Sequence, residues 1–299
     1  MSCVEEPSQY IIYGANGWLG RSALKSIIDN CSNLDSSKVL LIGSRASAIQ
    51  ISGINFQILE QGKAFQDIKE NGSFYNAAFL RKEKLVALGF EKYVSENNSI
   101  SNYAKLVISS KKLSSFINIS SGAASAFDVD KKSIDIDPYG YLKKHWEERF
   151  ANACQENRTQ SINCRVYSVS GQYINEFKNL ALTNFISQAK DKKKIEVKSP
   201  ATLRTFIDAV DLAHVLYKLL NEKSNFNIDS GGQLVSLSEL AISVANTLGL
   251  SSDAVEEGPE SSADYFGNYE KFNALANSLN VEIKNLDSQI DETLKAYDL

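Results

Sequence analysis

The feature that most constrains this chain is a glycine-punctuated turn close to its start. A short apolar run, Tyr10-Ile11-Ile12-Tyr13, leads into Gly14-Ala15-Asn16-Gly17-Trp18-Leu19-Gly20, and an amphipathic stretch from Trp18 to Ile28 follows at once. Strand, turn and helix in this order give each glycine a physical task. Gly14 permits the tight turn, Gly17 lets backbone approach a pyrophosphate with no side chain in the way, and Gly20 lets the helix pack closely on the strand. The new helix also presents free N–H groups and the positive end of its dipole to phosphate. Three glycines alone would be weak evidence, but the strand–turn–helix context makes a nucleotide-binding turn the better reading.

The rest of the first half repeats strand and helix. Val39-Leu40-Leu41-Ile42 and Phe116-Ile117-Asn118-Ile119 are continuous apolar runs, as in parallel strands buried on both faces. Phe56 to Leu59 and Phe74 to Ala78 are weaker strand candidates. Helices are predicted over Ser99 to Lys111 and Tyr139 to Asn157, with a further strand over Ile162 to Val169. The alternation predicts an α/β fold, a Rossmann-type doubly wound parallel sheet with ligands beyond the carboxyl ends of its strands. Further helices are predicted over Leu180 to Lys190, Val210 to Leu220, Leu237 to Leu248 and Tyr269 to Leu279, and Ser251 to Gly267 reads as a polar surface loop. We therefore expect a dinucleotide-binding domain over 1–170 and a smaller mixed α/β substrate lobe over 171–299, partly interleaved with the first because no linker separates them.

Bulk properties exclude several classes. The 299 residues carry 43% hydrophobic and 23% charged side chains, as in ordinary globular proteins, and a net charge of −4 gives no reason to expect binding to nucleic acid or an anionic membrane. The cysteines (Cys3, Cys31, Cys154, Cys164) lack CxxC spacing and only His145 and His214 accompany them, so no metal site is expected. The start has no basic and apolar leader, and no apolar run approaches the roughly 20 residues of a membrane span, so the expected location is cytoplasmic.

Chemistry is concentrated in one segment. Ser121 lies just past the strand ending Ser120-Ser121-Gly122, and Asp137-Pro138-Tyr139-Gly140-Tyr141-Leu142-Lys143 opens the long helix. Residues four apart share a helix face, so the Lys143 ammonium lies near the Tyr139 hydroxyl. A neighbouring positive charge favours the phenolate and lowers the tyrosine pKa from about 10, letting Tyr139 exchange a proton with a hydroxyl or carbonyl. YxxxK occurs often by chance. The ordered set of glycine turn, Ser-Ser-Gly strand end and PYGxxK does not.

That set resembles the extended short-chain dehydrogenase/reductase family, the NAD-dependent epimerase/dehydratase group, whose glycine spacing is also GxxGxxG. Arg165-Val166-Tyr167-Ser168-Val169-Ser170-Gly171 is similar to the family strand lining the nicotinamide, with Ser168 where asparagine is usual. Leu203-Arg204-Thr205-Phe206-Ile207-Asp208-Ala209-Val210-Asp211-Leu212-Ala213 resembles the family's R-x-F-I-x-V-x-D-x-A signature. The gap from Ser121 to Tyr139 is shorter than the family's, and the likeness is weakest over Ile51 to Ser95, where Glu60 is the candidate for the acidic residue usual near the adenine.

The resemblance implies a nicotinamide-dependent enzyme acting on a nucleoside-diphosphate sugar. Ser121, Tyr139 and Lys143 would be catalytic, Ser121 and Arg204 would hold substrate, and Asp211 would cap or orient its helix. The cofactor would meet Gly14, Asn16, Gly17, Trp18, Leu19, Gly20, Ala77, Tyr139, Lys143 and Tyr167, with Ser44 and Arg45 at the adenosine ribose. A Ser-Arg pair there suits a 2′-phosphate, so NADP is expected, with NAD as the alternative. We favour reduction of a 4-keto sugar. A 4-epimerase with tightly bound NAD and a non-catalytic dinucleotide-binding regulator remain alternatives, and a homodimer is compatible with the sequence.

Overall fold

The computed structural model describes residues 7–31, 34–129, 133–175 and 179–297. Cys3 and residues 176–178 lie outside them. The strands are β1 (Tyr10–Tyr13), β2 (Val39–Gly43), β3 (Ser47–Ile51), β4 (Ile54–Glu60), β5 (Ser73–Asn76), β6 (Ser115–Ser121), β7 (Gln160–Val166), β8 (Ser168–Ser170), β9 (Ile195–Val197), β10 (Leu203–Asp208), β11 (Phe226–Asp229), β12 (Gln233–Ser236) and β13 (Val255–Glu257). The main helices are α1 (Trp18–Asn30), α2 (Phe90–Ser110), α3 (Pro138–Glu156), α4 (Ala181–Lys192), α5 (Ala209–Lys218), α6 (Leu237–Thr247), α7 (Tyr269–Ser278) and α8 (Leu286–Leu294).

Two compact units result, one of 1–166 with 213–228 and one of 167–212 with 229–299. The first holds an eight-stranded sheet in the order β11-β7-β6-β5-β1-β2-β4-β3. β1 pairs in parallel with both β2 and β5, so the chain winds outward in both directions from β1. The carboxyl ends of β1 and β5 are the point where strand order reverses, the place where such sheets take ligands. One sheet face carries Ile11, Phe74 and Phe116, which pack with Ile108 of α2 and Trp146 and Phe150 of α3 in a buried core.

Several boundaries differ from expectation for readable reasons. β3 is an edge strand antiparallel to β4, closed by Ser52-Gly53, both at positive φ, as a two-residue hairpin turn requires. Its alternating burial reflects one solvated face. α2 begins nine residues before the predicted helix, because its first turns are polar and mostly exposed. The strand predicted over Ile162 to Val169 is two, since β8 leaves the large sheet to pair with β10. The polar loop 251–267 contains β13, which pairs in parallel with β9.

The second unit is built on the β12-β10-β8 sheet. Leu182 and Ile186 of α4, Leu240 and Val244 of α6 and Ile290 of α8 share its core with Phe206. The Ser236 side chain accepts from the Glu239 amide at 3.1 Å and the Glu239 carboxylate accepts from the Ser236 amide at 2.7 Å, a closed capping box at the start of α6. Ser236→Ala should lower unfolding stability by about 1 kcal/mol, read as an earlier urea midpoint.

Candidate active site

The glycine turn is fixed by close backbone packing. Gly14 has φ of +88°, and a Cβ there would lie 2.7 Å from the Ala78 nitrogen and 2.8 Å from the Ala77 carbonyl carbon. A Cβ on Gly20 would run into the Gly14 carbonyl oxygen and stand 2.8 Å from the Ala15 Cα. These two glycines are therefore required by the approach of β1, β5 and α1 to one another. Gly17 precedes α1 with no side chain capping the helix, and Asn16, Gly17, Trp18 and Leu19 are all partly exposed. That arrangement fits a dinucleotide pyrophosphate. Asn16 also accepts a hydrogen bond from the Ser47 hydroxyl at 3.0 Å and crowds Gly43, so it holds the β2–β3 connection against the turn. Ser44 and Arg45 lie exposed on that connection.

Ser121 ends β6, buried, and its oxygen accepts from the Ala123 amide at 3.2 Å. Asp137 caps α3 by accepting from the Gly140 amide at 3.1 Å, with Pro138 at the first helical position. A Cβ on Gly140 would stand 2.8 Å from the Ala123 carbonyl, so the helix start carrying Tyr139 is pressed onto the turn that follows Ser121. Lys143 is buried and donates to the Ile119 carbonyl, two residues before Ser121, at 2.8 Å. Burial brings its pKa down to about 7, with Glu147 acting in the opposite direction.

Behind this group lies an ionic network that the sequence reading missed. Arg165 donates from Nε to Glu147 Oε1 at 2.9 Å and from its terminal nitrogen to Glu147 Oε2 at 2.7 Å, and it also pairs with Asp128 at 2.5 Å. The Ser120 hydroxyl donates to Glu147 at 2.5 Å, and Lys144 pairs with Asp128 at 2.7 Å. Hydrogen bonding from Arg165 holds the Asp128 carboxyl down at about 2, and the Glu147 carboxylate raises the Arg165 guanidinium above its usual range. The extension of the Tyr139, Lys143 spacing by four to Glu147 was the available signal.

In the second unit, Arg204 on β10 forms a bridge with Tyr265, whose ring lies 4.9 Å from that of Tyr167. Arg204 is half-buried, its Nε has no hydrogen-bond partner, and burial lowers its pKa. The expectation that Asp211 caps the helix is corrected in part. Asp208 does this, accepting from the Val210 amide at 2.9 Å, while Asp211 is ion-paired to Lys284 at 2.5 Å. The reason is position: Asp211 already lies inside the first turn. Among the described residues no cluster of three or more His, Cys, Asp or Glu could hold a metal, and no helix is long and apolar enough to cross a membrane.

The fold and this arrangement define a short-chain dehydrogenase/reductase of the extended kind. The model of the NAD dependent epimerase/dehydratase family matches residues 10–229, and the chain belongs to that family. It is thus an enzyme, of a family that uses a nicotinamide dinucleotide. A UDP-N-acetylglucosamine 4-epimerase from Methanobrevibacter ruminantium M1, in complex with UDP-N-acetylmuramic acid, superposes with a TM-score of 0.74 at 15% identity, covering 98% of this chain and 99% of that one. A dTDP-glucose 4,6-dehydratase double mutant from Streptomyces venezuelae, with NAD bound, gives 0.70 at 13% identity and 97% of each chain. A UDP-glucose 4-epimerase from Thermus thermophilus in complex with NAD gives 0.71 at 12%, covering 97% and 99%. At these identities the likeness is one of fold. No curated protein sequence matches the chain.

Two outcomes follow from the electrostatics. Arg165→Met leaves Glu147 buried without its partner and should destabilise the protein by roughly 3–5 kcal/mol, measured by denaturant unfolding. Lys143 has a folded pKa below its unfolded value of 10.5, so from about pH 7 to 10.5 the unfolded chain holds the extra proton. Stability should rise across that window as pH rises, and Lys143→Met should flatten the rise in thermal melts.

Proposed function

We propose that the enzyme reduces the 4-keto group of a nucleoside-diphosphate sugar with NADPH. The observation that carries the reading is the buried Lys143 ammonium, fixed to the Ile119 carbonyl one helical turn from Tyr139 and just before Ser121. A positive group there favours the Tyr139 phenolate, so its hydroxyl can deliver a proton to the sugar oxygen as the carbonyl is reduced. Ser121 would hydrogen-bond the same oxygen. The nicotinamide supplies the hydride. Arg204, half-buried with Nε unengaged, suits the substrate diphosphate, because its planar fork binds phosphate oxygens in pairs. In this reading the chain from Tyr167 onward supplies most of the substrate lobe.

Exposed Ser44 and Arg45 on the connection after β2 support NADP, offering a hydroxyl and a guanidinium to a 2′-phosphate. Gly122-Ala123 follow Ser121 where dehydratases of the family commonly have an acidic pair, which argues against dehydration. The likeness to two epimerases favours a second reading, a 4-epimerase that keeps NAD bound and recycles it.

The test is loss of NADPH with a panel of nucleoside-diphosphate 4-keto-6-deoxy sugars. Stoichiometric loss with one of them, reduced about 10²–10⁴-fold in rate by Tyr139→Phe, is the expected result. Purified protein carrying NAD that does not exchange, with no NADPH oxidation, would favour the epimerase instead. Arg45→Ala should weaken NADP binding about tenfold or more and leave NAD unchanged. Equal loss for both would remove the 2′-phosphate role.

A further inference from the structure

Phe79 follows the Ala77-Ala78 pair just beyond β5, and three side chains of α3 meet its half-buried ring. The Tyr139 ring stands edge-to-face with it, centroids 5.4 Å apart at 87°. The Trp146 indole lies at 4.7 Å and 61°. The Lys143 Nζ stands 4.1 Å from the ring centroid. One aromatic side chain therefore touches both members of the Tyr-Lys pair. We propose that Phe79 is a positioning residue that holds the Lys143 ammonium on its ring face and Tyr139 in edge-to-face contact, fixing the pair in the arrangement that proton transfer needs. The proposal rests on the oxidoreductase reading of Ser121, Tyr139 and Lys143 given above.

A buried ammonium loses its water, and burial alone drives it toward the neutral amine. The Ile119 carbonyl occupies one of its donor positions at 2.8 Å. The charged groups packed around it compensate only in part. Glu147 on the same helix is engaged by both nitrogens of Arg165 from β7, and Arg165 is also shared with Asp128. Tyr93 of α2 interacts electrostatically with Tyr139, and Tyr139 itself lies one turn away on α3. A ring face carries partial negative charge and attracts a cation most strongly where water is excluded. Phe79 adds that attraction without adding an acid that would compete for the proton. An aliphatic side chain of similar size would fill the space and exclude water but would lack the ring quadrupole. The two roles, packing and electrostatic, can therefore be separated.

The experiment follows the Lys143 charge directly. Protein labelled at the lysine ε-carbons is titrated by NMR, and the Lys143 signal is assigned by its loss in Lys143→Arg. Phe79→Leu should move the Lys143 midpoint to lower pH by about half a unit to one unit, and Phe79→Tyr, which keeps a ring, should restore it. The alkaline limb of NADPH oxidation should move the same way in Phe79→Leu, with kcat lowered and KM for the sugar unchanged. Phe79→Met serves as a second aliphatic variant if the leucine form does not fold. A midpoint unchanged in both aliphatic variants, or one that Phe79→Tyr fails to restore, overturns the proposal. Failure of the functional reading is seen separately: the wild-type protein would oxidise no NADPH with any sugar, while the NMR midpoint would still report on Phe79.

Discussion

The salt bridge between Arg165 and Glu147 fixes the geometry on which the candidate site depends. Apolar contacts of Trp146 and Phe150 hold α3 against the sheet, but such contacts tolerate small slides and rotations. A guanidinium meeting a carboxylate through two nitrogens has a narrow range of productive geometries. Here the carboxylate also takes the Ser120 hydroxyl, and the guanidinium also takes Asp128. β7, β6, α3 and the turn after β6 are thus tied through one charge cluster, buried at Arg165 and Glu147 and reaching the surface at Asp128. Charges this deep lose much hydration, and they are tolerable because the oxygens are shared among several donors.

The pair also sets the electrostatics of the neighbouring turn of α3. Glu147 follows Lys143 by four residues, the spacing of a helical ion pair, yet Arg165 takes both of its oxygens. Lys143 meets the Ile119 carbonyl and the Phe79 ring, and Glu147 acts on it electrostatically. Burial drives Lys143 toward the neutral amine, which would offer Tyr139 no positive field. Burial is the main cause of the lowered Lys143 pKa, about 7, and the Glu147 carboxylate acts against it, so Glu147 supports the charged form that favours the Tyr139 phenolate.

What could be read from the sequence followed from local constraint. The glycine turn was legible because the strand–turn–helix context is local: Gly14 takes a positive φ and Gly20 packs on Gly14 and Ala15, whereas the crowding of Gly14 by Ala77 and Ala78 comes from a distant segment and was not readable. The Tyr139 and Lys143 spacing was legible because a helix puts residues four apart on one face. β3 was not, since Ser47-Ala48-Ile49-Gln50-Ile51 buries only part of itself and resembles a loop to any test of continuous hydrophobicity. Nor was the asparagine ladder of the first unit. The Asn76 amide donates to Asn118 at 3.1 Å, Asn118 to Asn163 at 2.8 Å and Asn163 to Asn227 at 2.9 Å, with each member on a different strand. Register alone brings these four together, and no spacing along the chain announces it. Arg165 and Glu147 were missed for the same reason, although the Tyr-Lys-Glu spacing marked one partner.

The short gap between Ser121 and Tyr139 has a structural counterpart in the residues that span it. A 3₁₀ turn over Gly122–Ser125 runs directly into a helical turn over Ala126–Val129. Arg165 and Lys144 both hold Asp128 of that helical turn. The Phe127 ring and the Ala123 carbonyl then occupy the space beside Gly140, 2.7 Å and 2.8 Å from where a Cβ would stand. The glycine after Tyr139 is therefore demanded by packing in the middle of a helical turn, where backbone freedom is of no use and even costs stability. The capping Asp137 carboxylate crowds the same position from within the helix start. The turns over 122–129 thus lie against the start of the Tyr139 helix, with the Ala123 carbonyl and the Phe127 ring beside Gly140.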